Sequence, residues 1–145
     1  MEYRITTKDD IDILMITRLE MIRKVNGLSD DYQFSNELIE ESKNYFLEGN
    51  QTTVLAIQDG IAVGCASISY IEIMPTLSHP TGKRAHLVNV YTKADYRRKG
   101  IARKLVRMLI DEAKEKGVTE ISLDATDLGK LLYESLGFCK SEECM

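Results

Sequence analysis

The sequence lacks tryptophan and contains only two prolines, two histidines and three cysteines in 145 residues. Cys65, Cys139 and Cys144 show no metal-ligand spacing, so we expect free thiols in a reducing compartment and no bound metal. No apolar run approaches the roughly 20 residues that cross a bilayer. The first residues are acidic where a signal peptide would be basic. These absences predict a cytoplasmic protein that does not associate with membranes.

Two phosphate-binding motifs are also missing. There is no G-x-x-x-x-G-K-[ST] sequence and no G-x-G-x-x-G sequence, which argues against a Walker loop and a dinucleotide-binding fingerprint. Repeats and low-complexity segments are absent as well. With 43% hydrophobic and 29% charged residues, the chain is predicted to form one globular domain over 1–145.

The charge is unevenly distributed along this acidic chain, whose formal net charge is −4. The segment 83–116 holds eleven basic and four acidic residues, whereas the remainder holds eight basic and nineteen acidic residues. The local excess indicates that an anion is bound there. The acidic remainder argues against a broad nucleic-acid surface, so nucleic acid is not an expected partner.

Hydrophobic periodicity and turn signals predict the element order β-α-α-β-β-β-α-β-α-β. Asp59-Gly60 is a hairpin signal between two strands that are apolar on both faces. Strand 85–92, the following helix and strand 119–125 form a β-α-β crossover, so those strands should be parallel. The fold class is therefore α/β (α+β mixed), with about six strands and about four helices. The predicted strands are 3–6, 52–58, 61–73, 85–92, 119–125 and 138–145, and the predicted helices are 8–27, 36–49, 100–116 and 126–137.

The basic stretch "RRKGIARK" at 97–104 has the features of an anion site. The first turn of a helix carries unpaired N–H groups and the positive end of the helix dipole. Gly100 has no side chain to block a ligand, and Ala102 is small. The surrounding cations are Arg97, Arg98, Lys99, Arg103 and Lys104. The structural alternative is a solvated helix face with internal ion pairs, formed by Arg103, Arg107, Asp111 and Lys114.

Two segments resemble the GCN5-related N-acetyltransferase (GNAT) superfamily. "RRKGIA" fits that family's [Q/R]-x-x-G-x-[G/A] motif, and its flanks in "VYTKADYRRKGIARKLV" resemble the strand and turn that precede it. About 30 residues later, "LDATDLGKLLYESLGF" is similar to the family's strand, helix and Y-x-x-x-G-F ending, with Tyr133, Gly137 and Phe138 in place. The resemblance covers essentially the whole chain and implies a mixed, mostly antiparallel sheet with a splayed parallel pair.

The resemblance also implies a chemistry, with acetyl-CoA as the donor substrate between strands 85–92 and 119–125. Pantetheine would bind the strand edge, and the pyrophosphate would bind the N–H groups of Arg98 to Arg103. Tyr133 would protonate the CoA thiolate as a general acid. The residues implied in acetyl-CoA binding are Val90, Tyr91, Thr92, Arg97, Arg98, Lys99, Gly100, Ile101, Ala102, Arg103 and Thr126.

Structural alternatives stand beside two of these roles. Tyr133 could be a core aromatic spaced with Leu132 and Leu136, and Thr126 could be a plain helix N-cap. The chain also departs from the family pattern, with Ala94 where a proline is usual and Thr92 where a valine is usual. The family normally ends in a hairpin, and "CKSEECM" leaves at most a stub of its second strand. The site could be more open there, or a partner chain could complete the sheet, and a homodimer is expected.

The acceptor is predicted to be a primary amine of a small molecule. Arg18 and Glu20 on the first helix could bind its carboxylate or amine, with ion pairs to neighbours such as Arg23 as the alternative. Asn89, a polar residue in an apolar strand, could line the acceptor pocket or bridge a buried water. Competing functions are a regulatory module that binds acetyl-CoA without turnover, an acetyltransferase for peptide or protein N-termini, and a nucleic-acid binder. The candidate general bases are Glu20, Glu72, His79, His86 and Asp124.

Overall fold

A five-stranded mixed sheet forms the centre of the molecule in this computed structural model, which describes residues 1–141. The strands are β1 (Glu2–Ile5), β2 (Gln51–Gln58), β3 (Ile61–Glu72), β4 (Lys83–Thr92) and β5 (Glu120–Leu123). They lie in the order β1-β2-β3-β4-β5. Neighbouring strands are antiparallel from β1 to β4, and β4 and β5 are parallel as predicted.

Four helices accompany the sheet: α1 (Ile11–Val25), α2 (Asn36–Glu48), α3 (Ile101–Glu115) and α4 (Lys130–Ser135). Single 3₁₀ turns at Lys8–Asp10 and Ala94–Tyr96 precede α1 and α3. The predicted fold class and element order are confirmed, apart from the last strand. Residues 138–141 are not a strand, and the rest of that predicted strand, including Cys144, lies outside the described residues.

The last helix is shorter than the predicted 126–137. It begins at Lys130, because the chain first makes a turn in which the Thr126 carbonyl oxygen accepts the N–H groups of both Gly129 and Lys130. A Cβ on Gly129 would lie 2.8 Å from Cε2 of Tyr133. The absent side chain therefore lets the Tyr133 ring lie against this turn.

The two faces of the sheet are both covered, which explains the uninterrupted apolar runs of β2 and β3. On one face α3 packs its apolar stripe against the sheet. Gly64 on β3 permits this close contact, because a Cβ there would lie 2.9 Å from Cγ2 of Ile101. On the other face Leu14 of α1 packs with Leu55 and Tyr91. The stripe on α3 consists of Ile101, Leu105, Val106, Leu109, Ile110 and Ala113.

The parallel strands β4 and β5 separate partway along β4. Their pairing runs from Arg84 with Glu120 to Leu87 with Leu123, and β4 then continues alone on that side to Thr92. On its other side β4 has a bulge, since Val88 pairs with Ser67 and Tyr91 pairs with Cys65. Asn89 in the bulge has φ of 60°, an uncommon left-handed conformation for a residue other than glycine. The backbone of 88–92 is therefore open toward β5.

A buried carboxylate ties β1 to the start of α1. Asp10 accepts hydrogen bonds from Arg4 Nη1 at 2.7 Å and from the Thr7 N–H at 2.9 Å. The Thr7 side chain caps the following turn in return, completing a capping box. The hydrogen bond from Arg4 is the main reason why the pKa of Asp10 is below its ordinary value, and burial opposes it.

Asp10→Asn is expected to lower the free energy of unfolding by about 1–3 kcal/mol at neutral pH. The pKa of Asp10 is lower in the folded state than in the unfolded state, where it is 3.8. Its stabilisation of the fold is therefore complete above pH 3.8 and is lost as the pH falls through the folded-state pKa. The deficit of the variant should therefore shrink in acid. Chemical denaturation at pH 7 and in acid measures this, with the exposed Asp9→Asn as control. A deficit unchanged by pH would contradict the assignment.

Candidate active site

The turn before α3 presents a row of free backbone N–H groups. Arg98 (φ 63°) and Gly100 (φ 80°) are both left-handed, and Lys99 between them is not. Such alternation forms a concave, anion-binding nest of N–H groups. The first hydrogen bond of α3 runs from the Lys104 N–H to the Gly100 carbonyl at 3.1 Å. Within 1–141, no residue accepts the N–H groups of 98–103.

The side-chain cations near this turn are less concentrated than predicted. The Arg97 Nε donates to the Thr92 carbonyl at 3.1 Å, which folds the turn back onto the end of β4. Arg103 donates to the Ser135 hydroxyl and so joins the first turn of α3 to α4. Lys104 was predicted to be one of the cations around the turn, but its Nζ instead lies 4.3 Å from the centroid of the Tyr3 ring.

The alternative of a solvated helix face with internal ion pairs is right about exposure, since all four residues are exposed, and wrong about the ion pairs in the described part of the chain. In that part, Arg103, Arg107, Asp111 and Lys114 form no ion pairs with each other or with other residues. Arg98 and Lys99 are exposed beside the free N–H groups. The turn therefore offers an anion both free backbone N–H groups and exposed side-chain cations.

Tyr133 combines features of both roles considered for it. Its side chain is 9% exposed and packs in the core on the α3 side of the sheet, edge-to-face with Phe138 at a centroid distance of 6.0 Å. Its hydroxyl makes no hydrogen bond to any of residues 1–141 and is not among the enclosed polar atoms. Burial raises the pKa of Tyr133. The ring is thus held by packing while the protonated hydroxyl stays available.

Thr126 makes a capping contact. Its Oγ1 accepts the Gly129 N–H at 3.3 Å, in the turn that leads into α4. The residue at the N-cap position itself is Gly129, which has no side chain to cap with. The prediction that Thr126 is the N-cap of α4 is therefore wrong, although its side chain stabilises the turn before that helix. Thr126 is exposed and so accessible to a ligand.

A cavity of about 340 Å³ lies between α1, α2 and the bulge of β4. Asn89 is at its inner wall. The Asn89 Oδ1 accepts Arg18 Nη1 at 3.2 Å, and its Nδ2 donates to the Ser67 Oγ at 3.1 Å. Two of the predicted substrate residues, Arg18 and Asn89, are thus in direct contact although 71 positions separate them. The cavity is lined by Arg18, Glu41, Ser42, Tyr45, Phe46, Gln51, Ser67, Ser69, Val88 and Asn89.

Glu20, the third predicted substrate residue, does not line this cavity and is half-buried. One carboxylate oxygen, Oε1, is 3.6 Å from Lys93 Nζ, and the other, Oε2, is enclosed without a hydrogen-bond partner in the described chain. The nearby Tyr91 is buried, which together with Glu20 raises its pKa to about 12. Arg23 does not pair with Glu20: it donates to the Tyr32 carbonyl and stacks on Phe34.

The remaining candidate bases do not line the cavity. The His86 Nδ1 is 2.8 Å from the Ser122 hydroxyl across β4 and β5, with Asp124 at 3.7 Å from its Nε2. His79 lies in the loop before β4, where its Nδ1 contacts the Thr119 hydroxyl. Glu72 lines a separate cavity at the opposite end of β4.

Sequence reasoning missed the polar residues behind Asn89. Thr53 and Ser67 are both buried and share a hydrogen bond of 2.6 Å between β2 and β3. The available signal was a hydroxyl residue beside the apolar run of each strand, Thr53 before Val54 in β2 and Ser67 after Ala66 in β3. In residues 1–141, no cluster of histidine, cysteine or acidic side chains is arranged to hold a metal ion. No helix in that range is both long and apolar enough to span a bilayer.

Comparisons with known proteins identify the family to which the chain is similar. The model of the Acetyltransferase (GNAT) family matches residues 19–138. Human N-acetyltransferase 8 is 28% identical over 114 residues, which are 77% of this chain and 48% of that protein. The chain therefore spans about half the length of this relative. Thialysine N-epsilon-acetyltransferase of Sus scrofa is 28% identical over 128 residues, 82% of this chain and 75% of that protein.

A solved structure extends the agreement to the fold. A predicted acetyltransferase from Clostridium acetobutylicum, crystallised with acetyl-CoA, superposes with a TM-score of 0.86 at 27% sequence identity. The match covers 99% of this chain and 93% of that one. Together with the family match over 19–138, this establishes that the chain belongs to the GNAT family of acetyltransferases.

Proposed function

We propose that this protein is an acetyl-CoA-dependent N-acetyltransferase that acetylates a primary amine of a small molecule. One observation carries the proposal: a single stretch of chain, 88–103, joins three features in order. It begins at the cavity with Val88 and Asn89, continues as the open edge of β4, and ends in the free N–H groups before α3. That sequence of features suits a long substrate with an acyl group at one end and a pyrophosphate near the other.

In this proposal acetyl-CoA binds along the stretch by its backbone. The pyrophosphate accepts N–H groups from the turn at 98–103, where the helix dipole also favours negative charge. The pantetheine amides pair with the backbone of Val90 to Thr92, as an added strand would. The bulge at Asn89 turns local backbone groups toward the cavity, which allows a backbone N–H to polarise the thioester carbonyl.

The chemical step is a direct transfer. The amine nitrogen attacks the thioester carbonyl carbon, the C–N bond forms, the C–S bond breaks, and CoA leaves as a thiolate. Tyr133 gives its hydroxyl proton to the sulfur, and the proton that the amine nitrogen loses reprotonates the Tyr133 oxygen. A tyrosine of ordinary pKa is already protonated at neutral pH, and burial raises the pKa of Tyr133 further.

A panel of amines with acetyl-CoA tests the proposal by free-thiol release. Amino acids, polyamines, aminoglycosides and short peptides are supplied in turn, and the hydrolysis rate without amine is subtracted. We expect release above that background with at least one small amine. Release with peptides alone would favour a peptide or protein acceptor instead. Acetyl-CoA binding with no release from any amine would overturn the proposed transfer and support a regulatory module.

A further inference from the structure

Arg18 is a cation without a counter-charge at the edge of the cavity. Its guanidinium donates from Nη1 to the Asn89 Oδ1 and contacts the Met21 sulfur at 3.9 Å. It forms no ion pair with any carboxylate of residues 1–141. Its Nε and Nη2 make no hydrogen bond in that range and are not enclosed by protein atoms. Burial lowers the pKa of Arg18, yet an arginine remains charged in proteins.

A half-buried charge of this kind is costly to keep. Its desolvation is offset only by an opposite charge with good geometry or by several hydrogen bonds. The five N–H donors of the guanidinium have one oxygen acceptor in residues 1–141, the Asn89 Oδ1, and one weak sulfur acceptor, Met21. The planar guanidinium matches the two oxygens of a carboxylate or phosphate. An anion that enters the cavity would supply the opposite charge that Arg18 lacks in residues 1–141.

A chain of hydrogen bonds fixes the orientation of the amide that faces Arg18. It begins at a backbone carbonyl: Gln51 Nε2 donates to the Phe46 oxygen at 3.1 Å, so Gln51 Oε1 must accept, and it does so from Thr53 at 2.6 Å. Thr53 has then used its only proton. The 2.6 Å contact with Ser67 must therefore be a donation from Ser67.

Ser67 has in turn used its proton and must accept from the Asn89 Nδ2, at 3.1 Å. The Asn89 Oδ1 is left facing Arg18, where it accepts from Nη1. The polar chain (Gln51, Thr53, Ser67 and Asn89) thus holds the guanidinium by one edge and leaves its other donors for a ligand. This preorganisation removes part of the entropy cost of binding.

We propose that Arg18 is the specificity-determining residue of the acceptor site, and that it selects small amines which carry an anionic group close to the amine. This inference rests on the proposed acetyl transfer. Asn89, which Arg18 contacts, lies in the bulge beside the open edge of β4, so a bound anion would lie near the reacting thioester. The second charged residue of the lining, Glu41, is exposed, so solvent screens its charge.

The remaining lining describes the rest of the substrate. Phe46 and Val88 present apolar surface. The Tyr45 hydroxyl donates a hydrogen bond to the Ser69 hydroxyl at 2.7 Å and so already has a partner. A cavity of about 340 Å³ is at the small end of ligand sites. The expected acceptor is thus amino-acid-sized, with a carboxylate or phosphate and an apolar portion.

Matched pairs of amines that differ only in the anionic group test this selection. L-phenylalanine is compared with its methyl ester, and O-phosphoethanolamine with ethanolamine, by the kcat/KM for thiol release. We expect the anionic member of at least one pair to be preferred by about 30-fold or more. The two pairs separate carboxylate from phosphate recognition. The ester amine has the lower pKa and is more deprotonated at neutral pH, so amine availability cannot produce this preference.

Arg18→Met keeps an unbranched chain and removes the charge. We expect the preference within the selected pair to fall toward 1, mainly through KM, while Arg18→Lys keeps part of it. Arg23→Met is the matched control, because Arg23 is on the same helix but contacts Tyr32 and Phe34 outside the cavity. It should keep the full preference.

Calorimetry with N-acetyl-L-phenylalanine and N-acetyl-O-phosphoethanolamine, in the presence of CoA, gives a readout that needs no turnover. The anion site is supported if at least one of these two compounds binds to the wild type and to Arg23→Met but not to Arg18→Met. This result would support the site even if no amine is acetylated and the proposed transfer fails. If thiol is released but the neutral amines are used as well as the anionic ones, or better, this inference is overturned and the proposed acetyl transfer stands. A preference unchanged in Arg18→Met would overturn it as well.

Discussion

Tyr133→Phe is expected to lower kcat by about 10²- to 10⁴-fold, the range of a lost general acid. The CoA thiolate has a reference pKa of about 8.5, so at neutral pH its departure benefits from a proton. Acetyl-CoA should bind the variant as tightly as the wild type. The fold should also be unaffected, because the ring keeps its packing against Phe138 and the hydroxyl has no hydrogen bond to any of residues 1–141.

Thiol-release assays measure kcat, and calorimetry separately measures the affinity for acetyl-CoA. Tyr3→Phe is the control, since it removes a hydroxyl from a half-buried ring that packs against Lys104 instead. The deficit of Tyr133→Phe should shrink as the pH falls, because the solvent then protonates the leaving thiolate. Unchanged turnover, or a deficit of equal size at every pH, would return Tyr133 to a packing role.

Gly100→Val is expected to raise the Kd for acetyl-CoA by about ten-fold or more, equivalent to at least ~1.4 kcal/mol. All the cations around the turn remain in this variant. A Cβ on Gly100 would contact no described atom within 4 Å, so the protein itself has room for it. The loss has two causes: the side chain occupies the space in front of the free N–H groups, and φ of 80° is strained for any residue with a side chain.

Gly27→Val separates these two causes. Gly27 at the end of α1 also has a positive φ, 65°, and open surroundings, so its substitution carries similar backbone strain far from the turn. We expect both variants to lose similar stability in thermal unfolding, and only Gly100→Val to lose acetyl-CoA affinity by calorimetry. Normal binding by Gly100→Val would show that the N–H groups at 98–103 do not hold the pyrophosphate.

Much of the fold was predictable because its signals are local. The Asp59-Gly60 turn and the hydrophobic periodicity of the helices each specify a short segment, and both are confirmed by the structure. The free N–H groups of the glycine turn before α3 were equally predictable, since they depend on neighbours in sequence. Such features need no knowledge of the tertiary arrangement.

The cavity between α1, α2 and β4 was only partly predictable, because it depends on strand register. The sequence marked Asn89 as a polar residue in an apolar strand. Its bulge, and its contact with Arg18 across 71 positions, follow from how β4 pairs with β3 and how α1 packs on the sheet. The position of Lys104 on Tyr3 is another long-range outcome. These contacts carry no signature within a window of a few residues.

The polar chain behind Asn89 also limits how this protein could evolve a preference for cationic acceptors. An acidic residue at position 18 would meet the Asn89 carbonyl oxygen, so the amide would have to rotate. Each hydroxyl would then reverse its donation, and Gln51 would turn its own oxygen toward the Phe46 carbonyl. A backbone carbonyl can only accept, so the reversal stops there with two oxygens opposed. If Arg18 selects the acceptor as proposed, a change of acceptor charge requires coordinated substitutions along the polar chain, and a single mutation at Arg18 would abolish the selectivity without inverting it.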